Sequence, residues 1–256
     1  MSWIEKLYET YNNCQASIAN PEDEIPLLPI CHTTQKAQIE ITIDGNGNFI
    51  RAAVVPKSDA RTIIPCTEES AGRVGQKPVC HPLCDKLQYI AGDFLFYGGE
   101  VTSGYKSNPE EPMRNYLLLL TKWCASTHTH KKAQAVLKYV QKNNLIKDLI
   151  ISRVLHTDHN SKLLNKWNNE KEQTPEIFKQ FQGDSWQADS FVRWIIEVPN
   201  DPQSYTWKDF SLWNSWIEYY ASTRAGGDIC YVTGQDSPIA DQHPKKIRND
   251  GDSAKL

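Results

Sequence analysis

The sequence predicts an α+β fold in which an N-terminal, hairpin-containing mixed domain precedes a mainly helical subdomain. Three observations carry that expectation. Asp44-Gly45-Asn46-Gly47 separates two β-rich runs at 37–43 and 49–55, the strongest hairpin signal in the chain. Four segments between 113 and 167 have apolar residues at helical spacing with short polar joints between them. The β-branched and aromatic run at 191–198, ended by Pro199, adds a further strand. The boundaries fall at 1–112 for the mixed region, 113–224 for the helical region with its short strand, and 225–256 for a strand-turn segment.

Each element has its own warrant. Trp3, Ile4, Leu7, Tyr8 and Tyr11 recur at helical spacing around Glu5, Lys6, Glu9 and Thr10, so the N-terminus forms an amphipathic helix. A Pro-rich stretch at 21–29 separates it from the first hairpin strand. There Ile39, Ile41 and Ile43 take one face, and Glu40 and Thr42 the other. From 57 to 82, Pro65, Gly72, Gly75, Pro78 and Pro82 punctuate a chain with few apolar residues, which predicts a long loop broken by a short strand at 62–64. Long loops in compact domains are often functional. Leu83, Leu87 and Ile90 predict a helix over 83–91 that stops at Gly92. A second loop spans 98–112, and helices follow at 113–127, 131–142, 145–155 and 161–167. Thr174-Pro175-Glu176 predicts an N-cap with Pro in the first turn of a helix reaching Phe181. Trp207, Phe210, Trp213, Ile217 and Tyr220 place an aromatic stripe on a helix over 206–222, read first as a packed core face and alternatively as a ligand-stacking surface. A short strand at 228–232, a Thr233-Gly234 turn and a polar tail from Asp241 complete the pattern.

Composition narrows the function classes. At about 150 residues per domain, 256 residues make one large domain or two modest ones. Lys plus Arg number 28 and Asp plus Glu 31, for a net charge of −3, so any anion-binding face is local and does not coat the chain. The 39% hydrophobic and 23% charged residues place it among folded proteins. The apolar run at 116–120 falls far short of the roughly 20 residues of a membrane span. Glu5 and Lys6 break the unbroken apolar region that a secretory signal needs. With seven cysteines, an odd number, these features predict a cytoplasmic protein whose thiols are mostly free.

Candidate chemistry is sparse. Cys66, Cys80, His81 and Cys84 put three thiols and an imidazole within nineteen positions, which invites zinc; a single paired knuckle instead favours buried or loop thiols. Cys230 and His243 form a weaker half-knuckle. His128 and His130, and His156 and His159, lie at helix joints, where capping competes with metal binding or catalysis. No H-E-x-x-H, Gly-x-Ser-x-Gly, Walker loop or G-x-G-x-x-G is present, so no catalytic residue, metal or cofactor is assigned and no enzyme is expected.

Local charge says more. Lys131, Lys132, Lys138, Lys142 and Lys147 occur with no Asp or Glu between 131 and 147, a segment suited either to a phosphate backbone or to a solvated face. Residues 51–77 hold Arg51, Lys57, Arg61, Arg73 and Lys77 against Asp59, Glu68 and Glu69, a balance of +2. Within them Gly72-Arg73-Val74-Gly75-Gln76-Lys77-Pro78 puts Arg, Gln and Lys, the side-chain types that read base edges, on a Gly-bounded loop.

The run Cys230-Tyr231-Val232-Thr233-Gly234-Gln235-Asp236-Ser237-Pro238-Ile239-Ala240, with His243-Pro244-Lys245 and Gly251-Asp252-Ser253-Ala254-Lys255-Leu256, resembles the large subunit of the type I-C CRISPR Cascade effector. Leu7-Tyr8-x-x-Tyr11, the 72–78 loop leading into Leu83-x-Asp85-x-x-x-Tyr89-x-x-Gly92, and the Trp/Phe-rich segment 191–216 extend the likeness along the chain. Members of that family are longer, so the resemblance implies an N-terminal fragment in which 225–256 opens a truncated remainder. It also implies a non-catalytic role in antiviral defence. Guide RNA pairs with the target strand, while this subunit senses the PAM in duplex DNA and helps start the R-loop. The implied partners are the crRNA-processing, backbone and small subunits, target double-stranded DNA and a helicase-nuclease, with no membrane. Carried onto this sequence, Arg73, Gln76 and Lys77 approach the PAM duplex. Lys131, Lys132, Lys138 and Lys142 contact phosphates on the charge argument alone. The competing reading is a protein-interaction scaffold that docks through the aromatic stripe at 206–222, and a metal- or thiol-dependent hydrolase is third.

Overall fold

The structure, a computed structural model, describes residues 3–18, 28–167, 173–183, 185–224, 226–230 and 232–238. It has helices and strands in the α+β pattern. The elements are α1 (Trp3–Ile18), β1 (His32–Lys36), β2 (Ile39–Asp44), β3 (Phe49–Val54), β4 (Arg61–Pro65), α2 (Glu68–Ala71), α3 (Leu87–Ile90), α4 (Glu111–Ala125), α5 (Lys131–Val140), α6 (Leu145–Ile151), β5 (Val192–Glu197), α7 (Phe210–Thr223), β6 (Asp228–Ile229) and β7 (Asp236–Ser237). The expected continuation at 239–256, His243 included, the Pro-rich stretch 21–27 and Tyr231 lie outside the described residues.

The central sheet runs β3-β2-β5. The hairpin sits where Asp-Gly and Asn-Gly put it, with β2 antiparallel to β3. On its other side β2 pairs in parallel with β5, so the first hundred residues and the segment after the helices share one sheet. Parallel strands need a long crossover, and the helices α3 to α6 supply it. Ile39, Ile41 and Ile43 face Val192, Trp194 and Ile196 across this pairing, all fully buried. Tyr139 of α5 packs on the same face, 5.8 Å from Trp194 and 6.2 Å from Phe49 between ring centres. On the opposite face the buried Arg193 donates to Glu40 at 2.8 Å and Asp59 at 2.7 Å, and its guanidinium lies 3.9 Å from the Trp207 ring centre.

The turn that closes the hairpin is held from both sides. Asp44 accepts the backbone N–H groups of Asn46 and Asn48, each at 2.8 Å, a turn built from its own side chain. Gly47 has φ +76°, and a Cβ there would lie 2.7 Å from the Ala135 carbonyl oxygen and 2.9 Å from the Tyr139 nitrogen of α5. The turn is thus pressed against a helix backbone that cannot move aside. Gly47→Ala is expected to cost roughly 1–3 kcal/mol, read as a lower denaturation midpoint. Gly45→Ala, whose Cβ would meet only Val198 at 3.2 Å, should cost less.

A second sheet, β1 antiparallel to β4, extends the strand expected at 62–64 and adds one at 32–36 that the sequence reading did not place. Trp216 of α7 joins this sheet to the helices. Its Nε1 donates to the carbonyls of Cys31 and Cys66 at 3.1 and 3.2 Å, and its ring meets Trp123 edge-on at 5.2 Å. The core face of α7 is Leu212, Trp213, Trp216 and Tyr219, offset from the expected stripe, of which Trp213 is buried, Ile217 and Tyr220 are half-buried and Phe210 is exposed. The helix begins at Phe210, after a 3-10 turn at Thr206–Lys208.

Three predicted helices change form for local reasons. At 161–167 no helix forms; Asp158 accepts the N–H groups of Asn160 and Lys162, and Thr157 bridges Leu163. A side chain that captures backbone donors in this way competes with helix nucleation. At 83–91 only the turn Leu87–Ile90 is helical, because Asp85 accepts the N–H groups of His81 and Lys86 and keeps the preceding chain out of the helix. The helix expected after Pro175 is a 3-10 helix, Glu176–Gln180, with no side-chain cap. Among the described residues no helix is long and apolar enough to cross a membrane.

Candidate nucleic-acid interface

The 72–78 loop leaves α2, whose N-terminus is closed by a capping box. The Thr67 hydroxyl accepts the Ser70 N–H, and the Ser70 hydroxyl accepts the Thr67 N–H. From there the loop is fixed by its ends. Arg73 donates through both terminal nitrogens to Asp85, at 2.9 and 2.7 Å, and from one of them to the Val79 carbonyl at 3.0 Å. Its guanidinium also lies 5.1 Å from the Tyr89 ring centre. The Asp85 side chain is fully buried and the Arg73 side chain is 14% exposed. Burial pushes the Asp85 carboxyl up from its ordinary value, opposed by Arg73 and by the N–H groups of His81 and Lys86. Planar, two-pronged pairing of this kind suits Arg and not Lys.

The outgoing strand of the loop is tied as firmly. Tyr89 and Tyr105 both donate to the Pro78 carbonyl, at 2.6 and 2.9 Å. The Gly104 N–H donates to the Gln76 carbonyl at 3.1 Å. That approach requires glycine, since a Cβ on Gly104 would fall 2.3 Å from the Gln76 oxygen. Between these anchors the tip projects. Val74 is 76% exposed, Gly75 has φ +89°, and the Gln76 side chain makes no hydrogen bond among the described residues. Lys77 leans over Tyr105 and pairs with Glu111 at 3.0 Å while half exposed.

The structure thus divides the residues singled out in the loop. Gln76 and Lys77 stand on an exposed tip, whereas Arg73 is consumed in holding it. The signal available in the sequence was general: a carboxylate in an apolar stretch, Asp85, needs a partner, but Arg73, Lys77 and Lys86 all lie near enough to supply it.

The lysines of α5 divide by helical phase. Lys131 and Lys138, seven residues apart, lie on the outer face. Lys131 pairs with Asp201 at 3.0 Å, and Lys142 donates to the Gly47 carbonyl at 2.6 Å and to Asn48 at 2.9 Å beside the hairpin turn. Lys132 lies on the inner face with Val136 and Tyr139 and is 1% exposed. Its ammonium is enclosed by Asp209, Asp201 and the Gln203 carbonyl. It therefore leaves the phosphate-contacting set: a buried ammonium already bonded to two carboxylates cannot reach a phosphate.

The remaining candidates are placed by burial and capping. Burial pushes the Cys80 and Cys84 thiols up to about 12, with the Asp85 charge adding to the effect, and His81 Nδ1 lies 3.1 Å from the Ser70 hydroxyl. His130 caps α5 by accepting the Lys132 N–H, and His128 lies 3.1 Å from Glu218. Among the described residues no group of three or more His, Cys, Asp or Glu side chains is arranged to hold a metal ion.

A family model described as CRISPR-associated protein (Cas_Csd1) matches residues 7–256. No curated protein matches the chain.

Proposed function

The chain belongs to the Cas_Csd1 family of CRISPR-associated proteins, and from that premise we propose that it is the non-catalytic, DNA-contacting large subunit of a type I-C Cascade surveillance complex. In this reading it recognises the PAM in target duplex DNA, helps start the R-loop and helps recruit the helicase-nuclease. Its partners are the crRNA-processing, backbone and small subunits, and its place is the cytoplasm. The observation that carries the reading is the 72–78 loop, an exposed tip carrying Gln76 and Lys77 on a buried clamp. Base readout needs donors presented without reorganisation, and a tip fixed at both ends meets that need. Gln76 and Lys77 are the reading groups and Arg73 positions them. Lys131, Lys138 and Lys142 supply the sequence-independent attraction to phosphates.

A second reading, a protein-interaction scaffold without DNA readout, draws on a different surface from the one expected. Of the expected stripe, Trp207 and Trp213 are buried, Ile217 and Tyr220 are half-buried, and Phe210 is 40% exposed, so it leaves no continuous exposed face. On α1, however, Trp3, Ile4, Leu7 and Tyr8 are exposed together, Trp3 at 62%. Salt separates the two readings. In the assembled complex, duplex binding should weaken steeply with salt. Changing Lys131 and Lys138 together to Ala should reduce the slope of log K against log salt by about 0.9 per lysine, with PAM preference unchanged. Salt-independent binding, or a slope that the double change leaves untouched, favours the scaffold.

A further inference from the structure

Away from the loop, the chain holds a cavity of about 500 Å³ lined by four aromatic rings, Trp167, Phe178, Phe181 and Trp186, with Lys166 and Glu100 among its polar walls. Its size is that of a small-molecule site, and its aromatic rings stand among walls that are mainly polar. Trp167, Phe178 and the neighbouring His156 pack mutually with ring centres 5.8 Å apart, so two of the rings are held by a third that does not line the cavity. The Trp167 indole N–H is buried and has no acceptor among the described residues. A buried donor left unpaired is costly, and an acceptor brought by a ligand would satisfy it.

The chemistry of the walls selects the ligand class. Aromatic rings take a flat aromatic group, an indole N–H takes a carbonyl or ring-nitrogen acceptor, a carboxylate takes an exocyclic amine, and an ammonium takes a phosphate. A nucleotide carries all four. Position points the same way. Glu100 in the cavity wall and Gly104, which is hydrogen-bonded to Gln76 in the loop tip, are separated along the chain by at most about 14 Å of backbone. That span matches about four nucleotides of a stacked strand.

We propose that this cavity receives an unpaired nucleobase from the DNA strand that is opened beside the 72–78 loop. The inference rests on the DNA-contacting reading above and adds to it a second site, one that captures single-stranded DNA. Stacking on aromatic side chains tolerates any base, so the cavity stabilises opened DNA without reading its sequence.

The test begins with the unmodified protein and a ten-nucleotide single strand carrying one 5-iododeoxyuridine, irradiated and mapped by mass spectrometry. Crosslinks to peptides containing Trp167, Phe178, Phe181 or Trp186 are expected; crosslinks confined to other segments, or none, overturn the proposal. Phe181→Leu and Trp186→Leu, which keep an apolar side chain while removing a ring, should each weaken binding of the same strand by about tenfold or more. PAM preference of the assembled complex on intact duplex should be unchanged. Equal single-strand affinity in folded variants also overturns it. Failure of the functional reading looks different: the wild-type complex would show no PAM preference while the strand still crosslinked within the cavity.

Discussion

Lys132→Met is expected to lose about 3–5 kcal/mol of unfolding free energy, enough to remove much of a single domain's stability. The side chain is 1% exposed, and its ammonium meets Asp209, Asp201 and the Gln203 carbonyl. Asp209 is also the N-cap of α7, accepting the N–H groups of Ser211 and Leu212 at 3.0 and 3.2 Å. One lysine therefore ties the first turn of α5 to the start of the helix that carries Trp216. Methionine keeps the length of the stem but strands the Asp209 carboxylate in a poorly hydrated site, while Asp201 keeps Lys131. Adding Asp209→Asn should restore part of the loss by removing that charge, a coupling that a double-mutant cycle measures.

The same cluster sets an acid limit. Burial alone would raise both carboxyls. Hydrogen bonds from Lys131 and Lys132 hold Asp201 down to about 2, and those from Lys132 and Ser211 hold Asp209 below its ordinary value. A carboxyl whose pKa is lower folded than unfolded stabilises the protein above its unfolded value, near 3.9, and loses that contribution as pH falls through the folded value. The wild type should shed this stability between about pH 4 and pH 2. Lys132→Met should show a shallower dependence there, measured by denaturation across that range.

Asp85→Ala has the second large expected effect, again about 3–5 kcal/mol. The substitution leaves the Arg73 guanidinium without its carboxylate and strands the N–H groups of His81 and Lys86. Its local signature is what separates it from Lys132→Met. Amide exchange should accelerate across 73–79, which Asp85 anchors through Arg73, and PAM discrimination should fall although Gln76 and Lys77 are intact. Arg73→Lys should act in the same direction, because an ammonium cannot reproduce the two parallel bonds. Lys132→Met, for all its cost, should leave loop exchange near that of the wild type.

Much of the fold was legible because its signals were local. The hairpin followed from Asp44-Gly45-Asn46-Gly47, and α4, α5 and α6 from apolar spacing. The parallel pairing of β2 with β5 was not legible, since partners some 150 residues apart leave no local trace. The helix expected at 161–167 failed because Asp158 folds the chain on itself, an effect weaker in the sequence than the leucine spacing. At the site, charge counting grouped lysines that helical phase separates: Lys132 shares a face with Val136 and Tyr139 and so was destined for the interior. Arg73 was read as a base-reading group because its type fits that task. Its engagement by Asp85, twelve residues on, is a tertiary contact.

The most direct test is PAM discrimination by the assembled effector containing full-length large subunit, with Gln76 and Lys77 changed together to Ala. Each lost base contact is worth about 1–3 kcal/mol, so the preference for PAM-bearing over PAM-less duplex should shrink at least tenfold while assembly and thermal stability hold. An unchanged preference in a complex that incorporates the variant would contradict the assignment of the loop tip as the reader.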